Sequence, residues 1–381
     1  MTGRPLRVLH VITDLDPGGA EWMLVRLLER AARDDSVESS VVSLAPPGRL
    51  APGVRDLGVP VESMELSPNA PNPFAVVSLA RLIRRTRPDV VQTWMYHADL
   101  VGGVAAQLAA TPVVWGLHHT SLTPGVEKSR TAFVVRTCAA LSRFIPRAIV
   151  CCSEATKLAH AAIGYDPMKL FVVPNGFDLA VFRPDDDARR ELRAALGVPE
   201  GAVVLGSVAR FHPTKDHATL LAAAGRIADR EYHLVLCGEG VTKENAELAA
   251  LVLGAGIESR THLLGRRDDM PRVFAGLDGA VSSSRSEALP LTIGEAMATG
   301  VPCVVTDVGV SALVVGETGW VVPPGDPERL AAAMRELVDL GPAERGRRGS
   351  AARSRIQERY SLDATAGKYT ELHRSIASGG A

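Results

Sequence analysis

The sequence predicts an α/β protein of two doubly wound, Rossmann-like parallel-sheet domains that face each other across a cleft. With 381 residues the chain is long enough for two domains with well-formed cores. Strand-like apolar runs alternate with amphipathic runs of helix length, which is typical of a parallel sheet with helical crossovers. The alternation restarts after a polar stretch that contains Pro184 and an acidic run, and this stretch is typical of a linker. We therefore predict an N-terminal domain over residues 1–177 and a second domain over residues 178–357.

Each strand is assigned to a short apolar run rich in β-branched residues. In the first half we expect strands near Arg7–Thr13, Ser39–Leu44, Val59–Leu66, Val90–Trp94, Pro112–Leu117, Ala148–Ser153 and Leu170–Pro174. In the second half we expect them near Val203–Val208, His233–Leu236, Thr261–Leu264, Gly279–Ser283, Pro302–Thr306 and Gly319–Val322. The clearest helix follows the first strand, where apolar residues repeat at helical spacing from Ala20 to Ala31. Further helices are expected at about Pro73–Thr86 and Leu362–Ile376.

The composition is that of an ordinary soluble protein. Its 42 basic and 43 acidic residues nearly cancel, so no attraction to nucleic acid is indicated. The five cysteines show no metal-ligand spacing, which favours reduced thiols in a cytosol. No segment approaches the length that spans a bilayer. We expect a cytoplasmic protein, with peripheral contact to the inner face of a membrane as the open alternative.

The range Ser286–Thr306 carries the clearest chemical signal. A helix is expected to begin near Leu291 and to end at Gly300. Glu287 lies in the loop before this helix and Glu295 in its first turns. Amides at a helix N-terminus bind phosphate, and each carboxylate is able to accept two hydrogen bonds from a vicinal diol. Phosphate, ribose and a second polyol together describe a nucleotide sugar. Two solvated glutamates flanking a helix start are the alternative.

Two glycine-bearing turns follow strands elsewhere in the chain. Gly18 and Gly19 precede the first helix, where glycine permits a close backbone approach to an anion. Gly238 follows a strand of the second domain in the same way. The first turn lacks the GxGxxG spacing, which argues against a dehydrogenase. Tight strand–helix turns are the alternative explanation of these glycines.

Polar side chains also follow the carboxyl ends of predicted strands. Arg210 ends a strand of the second domain, and Lys215 begins the next helix. Two cations beside a helix N-terminus are able to hold a diphosphate and to stabilise the charge that develops on it. His118 and His119 end a strand of the first domain, and alternation sends them to opposite faces, so which one faces a ligand stays open. Loop backbone around Arg266 and Arg267 is a candidate to read a base edge. Solvated or packing roles are the alternative for each of these residues.

With these motifs assembled, the chain resembles the retaining GT-B-fold glycosyltransferases of family 4 over essentially its whole length. The resemblance is carried, in chain order, by GGAE, the strand-end histidine, VVPNGFD, GSVARFHPTKD, CGEG, LLGRRDDMPRVFAGLD and SEALPLTIGEAMATGVPCVVTDVG. It implies that the N-terminal domain lies on the acceptor side, that the second domain binds the donor, and that a C-terminal helix at residues 358–381 crosses back onto the first domain. The chain departs from the family's common Gly-Phe-Gly after the first glutamate, because Ala288, Leu289 and Pro290 stand there.

The resemblance also implies roles for individual residues. Arg210 and Lys215 would hold the diphosphate, and Gly19 would approach it from the first domain. Glu295 would hold the ribose, and Glu287 the donor sugar. The implied catalytic set is His118, His119, Arg210, Lys215 and Glu287. The implied donor-binding set is Gly18, Gly19, Arg210, Lys215, Gly238, Arg267, Glu287, Ala288, Leu289, Leu291, Thr292 and Glu295. No metal ion or cofactor is implied, and the co-substrate would be a nucleotide-diphosphate sugar with UDP or GDP as the nucleotide.

We therefore expect a hexosyltransferase-type enzyme that moves a sugar to a hydroxyl of a sugar, lipid or small-molecule acceptor in polysaccharide, glycolipid or glycoconjugate biosynthesis. The alternatives are a nucleotide-sugar epimerase or a sugar phosphorylase on the same fold, and a non-catalytic nucleotide-sugar-binding protein. The segment Lys128–Arg147 has basic residues among apolar ones and no acidic residue. It fits either a helix lying on an anionic membrane or a domain helix with a solvated basic face.

Overall fold

The structure of the chain is a computed structural model that describes residues 4–66, 74–118, 129–199, 201–287 and 290–379. The chain divides into two units. The first unit comprises Met1–Gly176 together with Leu362–Ala381, and the second comprises Phe177–Ser361. The second unit thus extends slightly beyond the boundary at residue 357 that the sequence analysis placed.

Each unit contains one parallel sheet. The strands of the first unit are β1 (Leu6–Ile12), β2 (Val37–Ser43), β3 (Val61–Ser63), β4 (Val90–Trp94), β5 (Val113–Leu117), β6 (Ala148–Cys151) and β7 (Leu170–Val172). Those of the second unit are β8 (Val203–Val208), β9 (Tyr232–Cys237), β10 (Thr261–Leu263), β11 (Gly279–Ser282), β12 (Cys303–Thr306) and β13 (Trp320–Val322). The strand orders are β3-β2-β1-β4-β5-β6-β7 and β10-β9-β8-β11-β12-β13.

Helices connect the strands and cover the sheets. In the first unit they are α1 (Gly19–Ala31), α2 (Ala51–Asp56), α3 (Phe74–Thr86), α4 (Tyr96–Leu108), α5 (Ser129–Leu141) and α6 (Glu154–Ala162). In the second unit they are α7 (Asp186–Ala195), α8 (His217–Arg226), α9 (Ala246–Ala255), α10 (Met270–Ala275), α11 (Leu291–Ala298), α12 (Ser311–Val315), α13 (Pro327–Asp339) and α14 (Pro342–Arg359). The last helix, α15 (Leu362–Ala377), returns to the first unit.

Strand alternation separates the core of the first unit into two layers. Val8 and Ile12 of β1 pack in one apolar cluster with α1 and α15, whereas Leu9 and Val11 pack in another with α3 and α4. The central strands are buried on both faces, as parallel strands under helical crossovers must be. The strand expected at Val59–Leu66 is shorter than predicted, because Glu65 takes a positive φ of 50° that an extended strand does not allow.

The strand order of the second unit positions the candidate site. The chain passes from β8 outward to β10 and then returns to β11 on the other side of β8. Ligands of doubly wound sheets bind beyond the carboxyl ends of the strands at such a switch point. Because β11 pairs in parallel with β8, the loops that follow these two strands emerge side by side.

A buried ion-pair cluster holds α7 against this sheet. The carboxylate of Asp278 accepts hydrogen bonds from Arg189 Nη2 at 2.6 Å, from Arg193 Nη1 at 3.0 Å and from the amide of Val204 at 2.8 Å. The Asp278 carboxylate is therefore the charge partner of the buried Arg193.

Replacing Asp278 by alanine is expected to destabilise the second unit by about 3 kcal/mol, because a buried guanidinium then loses its carboxylate. Urea unfolding followed by circular dichroism measures the loss. Asp339→Ala removes the carboxylate from an exposed pair with Arg230 and serves as the control, with little change expected. Equal midpoints for the two variants would contradict the role assigned to Asp278.

Two buried histidines, one on α15 and one on β1, form hydrogen bonds with β4 of the first unit. His373 Nε2 lies 2.9 Å from Gln92 Oε1, and His10 Nδ1 lies 3.2 Å from Trp94 Nε1. Burial and the neighbouring His373 lower the pKa of His10 to about 3, and burial lowers the pKa of His373 to about 4. Both rings are therefore neutral at pH 7.

Acid is expected to weaken the first unit through these rings. A histidine in an unfolded chain has a pKa of about 6.5, so below that pH the unfolded state binds more protons. The stability that the neutral rings contribute is complete above about pH 6.5 and is lost as the pH falls toward 4, by about 3 kcal/mol per ring. Tryptophan fluorescence during urea unfolding, measured in a Trp320→Phe background, reports this unit, because the other three tryptophans (Trp22, Trp94 and Trp115) lie in it.

The matched variants for this prediction are His373→Gln and His212→Gln. Glutamine at position 373 retains an amide donor for Gln92 but takes up no proton, so the pH dependence of unfolding should become shallower. His212 is exposed in the second unit, and its replacement should leave that dependence unchanged. A wild-type urea midpoint that does not vary between pH 7 and pH 5 would rule out the predicted effect.

Candidate functional site

The loops after β8 and β11 are joined by backbone hydrogen bonds. The amide of Arg285 donates to the carbonyl of Thr214 at 2.8 Å. The hydroxyl of Ser283 donates to the carbonyls of Lys215 and Asp216 at 2.9 and 3.0 Å. These contacts fix the backbone around Lys215, which ends the short 3₁₀ turn Pro213–Lys215. The two loops therefore form one ordered surface at the carboxyl ends of adjacent strands.

Lys215 and Glu287, both singled out from the sequence, meet on this surface. Lys215 Nζ lies 2.5 Å from Glu287 Oε1, and the hydroxyl of Ser284 donates to the same oxygen at 2.7 Å. The two side chains are 22% and 13% exposed. Both line a small pocket together with Ser284 and Thr292. The ammonium group has further N–H donors, so it is able to hold an anion while it contacts Glu287.

Arg210 follows β8 by two residues, and its exposed side chain forms no hydrogen bond to another residue within the described ranges. Gly238 fixes the backbone beside it. A Cβ at Gly238 would lie 2.1 Å from the carbonyl oxygen of Ala209 and 2.8 Å from the amide of Arg210. Glycine is therefore required here for the packing of two turns, which favours the alternative named for it above. Contact of Gly238 with a ligand stays a prediction.

The helix α11 begins at Leu291, as the sequence predicts, and ends at Ala298, just before the predicted end at Gly300. No side chain caps its N-terminus, so the first-turn amides at Leu291 and Thr292 have no side-chain cap within the described residues. Glu295 is 7% exposed. Ala288 and Leu289, the other predicted donors of amides, lie outside the described residues.

The position of α11 depends on Gly294. A Cβ on this residue would lie 2.0 Å from Cζ of Phe177, whose ring is fully buried. The helix therefore rests directly on the Phe177 ring, and Glu295 follows the residue at the contact. The sequence analysis missed Phe177 because nothing in the local sequence indicates a partner so far along the chain.

Arg267 pairs with a neighbour. Its guanidinium donates to both oxygens of Asp269, with Nε–Oδ1 at 2.7 Å and Nη2–Oδ2 at 2.6 Å. These hydrogen bonds lower the pKa of the Asp269 carboxyl. Arg267 does not line the pocket with Lys215 and Glu287. The expectation for the loop concerned its backbone, and a contact between that backbone and a base stays a prediction.

A buried histidine follows Lys215 closely. The ring of His217 packs on Phe211 with a centroid distance of 5.2 Å, and neither ring nitrogen has a hydrogen-bond partner among the described residues. Burial lowers the pKa of His217 to about 4. His217 is therefore neutral at pH 7, and Lys215 and Arg210 supply the positive charge of this loop.

In the first unit, Gly18 precedes α1 as its N-cap without a side-chain hydrogen bond. A Cβ at Gly18 would lie 2.2 Å from Glu21 Oε2, so the carboxylate covers the glycine. Burial raises the pKa of Glu21 to about 7, and Asp14 and Asp16 add to the rise. The sequence analysis did not single out Glu21, although it stands within the GGAE motif. The roles expected for Gly18 and Gly19 stay predictions.

His118 follows β5 directly and is buried. Its ring stacks on Trp94, with centroids 5.0 Å apart and an interplanar angle of 23°. His119 lies outside the described residues. The stacking fixes the orientation of His118, and its implied catalytic role stays a prediction.

Comparison with known proteins matches both halves of the chain. A family model described as glycosyltransferase family 4 matches residues 17–181, and one described as glycosyl transferases group 1 matches residues 202–339. EpsF of Bacillus subtilis (strain 168), assigned as a glycosyltransferase, is 31% identical over 324 residues, which cover 81% of this chain and 80% of EpsF. The UDP-Gal:alpha-D-GlcNAc-diphosphoundecaprenol alpha-1,3-galactosyltransferase of Escherichia coli is 26% identical over 272 residues, which cover 70% of each chain.

Among solved structures, Anabaena Alr3699/HepE in complex with UDP is similar to this chain. The TM-score is 0.85 at 24% identity, and the match covers 97% of this chain and 100% of that one. This likeness confirms the predicted fold class, two doubly wound parallel-sheet units of the GT-B type.

Proposed function

Since the chain belongs to glycosyltransferase family 4, we propose that it transfers a sugar from a nucleotide-diphosphate sugar to an acceptor hydroxyl with retention of the anomeric configuration. The contact between Lys215 and Glu287 carries this proposal. It lies at the carboxyl ends of adjacent strands in a doubly wound sheet, where such folds bind ligands. A cation, a carboxylate and the start of α11 are the groups that a phosphorylated sugar needs.

The residues of the second unit take complementary roles in this proposal. Lys215 and Arg210 hold the diphosphate, which becomes more negative as the sugar departs, and they stabilise that charge. The amides at Leu291 and Thr292 face the same charge at the positive end of a helix. Glu295 holds the ribose hydroxyls, and Glu287 holds hydroxyls of the sugar.

We propose that the acceptor attacks from the face that the phosphate leaves. The bond between the anomeric carbon and the phosphate oxygen breaks, the acceptor oxygen bonds to the same carbon, and the departing phosphate oxygen takes the acceptor proton. This step retains the configuration without a covalent sugar–enzyme intermediate. It requires charge stabilisation and positioning, which the cations and helix amides provide.

The test begins with the donor. Thermal stabilisation by UDP and GDP identifies the nucleotide, and the matching nucleotide sugars are then assayed with an acceptor panel. A UDP-sugar and a diphosphate-linked lipid acceptor come first, because the Escherichia coli relative is named for both. Proton NMR of the product gives its anomeric configuration, and an inverted product would refute the stereochemical proposal.

The same assays separate the alternatives. Interconversion of the sugar without an acceptor would indicate an epimerase, and cleavage that depends on phosphate would indicate a phosphorylase. Nucleotide binding without turnover across the acceptor panel would indicate a non-catalytic binding protein.

We also propose that α5 contacts an anionic membrane. No described helix is both long and apolar enough to cross a bilayer. Phe133 of α5 is 71% exposed, and Arg136 and Arg143 are exposed nearby. No acidic residue lies between positions 129 and 147. Exposed aromatic and basic side chains without acidic neighbours suit the interface of an anionic bilayer.

Sedimentation with vesicles that contain anionic lipid tests this contact. Arg136→Glu with Arg143→Glu should release the protein from the vesicles, whereas Arg329→Glu on the exposed face of α13 should not. Equal sedimentation of wild type and the double variant would contradict the contact.

A further inference from the structure

We propose that the ion pair between Asp216 and Arg285 is a positioning device, which orients Lys215 toward the second phosphate of a nucleoside diphosphate. Neither residue was singled out by the sequence analysis. Arg285 Nε donates to Asp216 Oδ2 at 2.7 Å across 69 residues of sequence. The inference rests on the role proposed above for Lys215.

The backbone of Asp216 is held in a conformation that requires support. Its φ of 49° and ψ of 55° are left-handed, a region that costs non-glycine residues energy and that aspartate and asparagine tolerate best. The residue directly follows Lys215, so its conformation sets the direction in which the chain leaves the lysine. A change at Asp216 therefore turns the peptide that carries Lys215.

Three hydrogen bonds converge on the Asp216 side chain. Its carboxylate caps α8 by accepting hydrogen bonds from the amide of Thr219 at 3.2 Å and from the Thr219 hydroxyl at 2.7 Å. The third hydrogen bond is the one from Arg285. The carboxylate is 5% exposed, whereas the Arg285 side chain is 61% exposed. The buried acid is thus anchored by its own helix, and the arginine attaches the β11 loop to it.

Arg285 also connects the two loops that follow β8 and β11. Its backbone amide bonds to Thr214, and its side chain bonds to Asp216, so Arg285 spans the turn that presents Lys215. Two residues further along the chain, Glu287 contacts the Lys215 ammonium. Without the Arg285 side chain, Lys215 would stay in this turn, but its ammonium group would be held less firmly in the orientation that contacts the second phosphate.

The orientation of the Lys215 ammonium toward the second phosphate is tested by the ratio of the affinity for a nucleoside diphosphate to the affinity for the monophosphate. We compare UDP with UMP, or GDP with GMP if the guanine nucleotide stabilises the chain more, by isothermal titration. Arg285→Gln and Asp216→Asn remove one charge each, and asparagine retains both the cap and the left-handed conformation. Each variant should lower the diphosphate-to-monophosphate affinity ratio about fivefold, as a weakened charge-assisted hydrogen bond does, with monophosphate affinity unchanged.

The controls make the result specific. Arg230→Gln breaks a pair of the same geometry, Nε to Asp339 Oδ1 at 2.7 Å, away from the site, and should leave the ratio unchanged. Arg285→Lys, which keeps the charge, should recover part of the ratio. The double variant Asp216→Asn/Arg285→Gln should be no worse than either single variant, because both break one interaction.

Lys215→Ala distinguishes the role of Lys215 from the role of the Asp216–Arg285 ion pair. If this variant keeps the wild-type ratio, the proposed role of Lys215 fails, and the positioning proposal fails with it. If it lowers the ratio while Arg285→Gln and Asp216→Asn behave like Arg230→Gln, only the positioning proposal is overturned. A fall in affinity for both nucleotides alike would mark a structural effect and would also overturn it.

Discussion

Replacing Lys215 by alanine is expected to lower kcat/KM for sugar transfer by about two to three orders of magnitude, the usual effect of removing one group that stabilises developing charge. The protein should remain folded, because the hydrogen bonds that fix this loop use the carbonyl of Lys215 and not its side chain. The loss should appear mainly in kcat, since charge on the diphosphate grows as the glycosidic bond breaks. Steady-state kinetics with the donor found by the nucleotide screen measures both parameters.

Lys157→Ala is the matched control for this prediction. Lys157 also lies near a glutamate, with Nζ 3.8 Å from Glu154 Oε1 in the first turn of α6, and its loss should leave kcat/KM unchanged. If the two alanine variants have the same activity, the diphosphate is not held by Lys215.

The fold was predictable because each strand and helix is indicated by the pattern of apolar residues within its own segment. Alternation of apolar strands and amphipathic helices predicted the two parallel-sheet units, and the helix start at Leu291 was predicted from its own neighbours. The strand at Val59–Leu66 was overextended because its residues suit a strand, whereas Glu65 takes a left-handed backbone conformation. Local propensity does not report such a constraint.

The candidate site was predictable only in part, for the same reason. Lys215 and Glu287 could be predicted from their positions at strand ends, since parallel strands bring their carboxyl ends to one edge. The hydrogen bonds that Ser283 and Arg285 donate to the turn around Lys215 depend on which strands are adjacent. The sequence alone does not state that order. Gly294 beside Phe177 is a similar case, because the contact joins the start of the second unit to its fourth-from-last helix.

Replacing Glu295 by glutamine is expected to raise the KM for the nucleotide sugar by about ten- to a hundredfold, with a smaller change in kcat. Hydrogen bonds to a charged group contribute about 1.5–3 kcal/mol, and the ribose hydroxyls are held equally in the ground state and the transition state. Glutamine fills the same space in a buried position, and Gly294 keeps the helix seated on Phe177. The variant should therefore unfold at nearly the wild-type temperature.

Deoxynucleotides that lack one ribose hydroxyl test directly whether Glu295 holds the ribose. If Glu295 holds the diol, the wild-type protein should bind UDP, or GDP, more tightly than the corresponding 2′-deoxy and 3′-deoxy diphosphates. Glu295→Gln should discriminate less among the three, because glutamine lacks the charge and one of the two acceptor oxygens. Glu336→Gln, which changes a carboxylate that accepts from Trp320 at the far edge of the sheet, should keep the wild-type preference. A Glu295→Gln protein that discriminates against the deoxynucleotides as strongly as the wild type would show that the ribose is held by another residue.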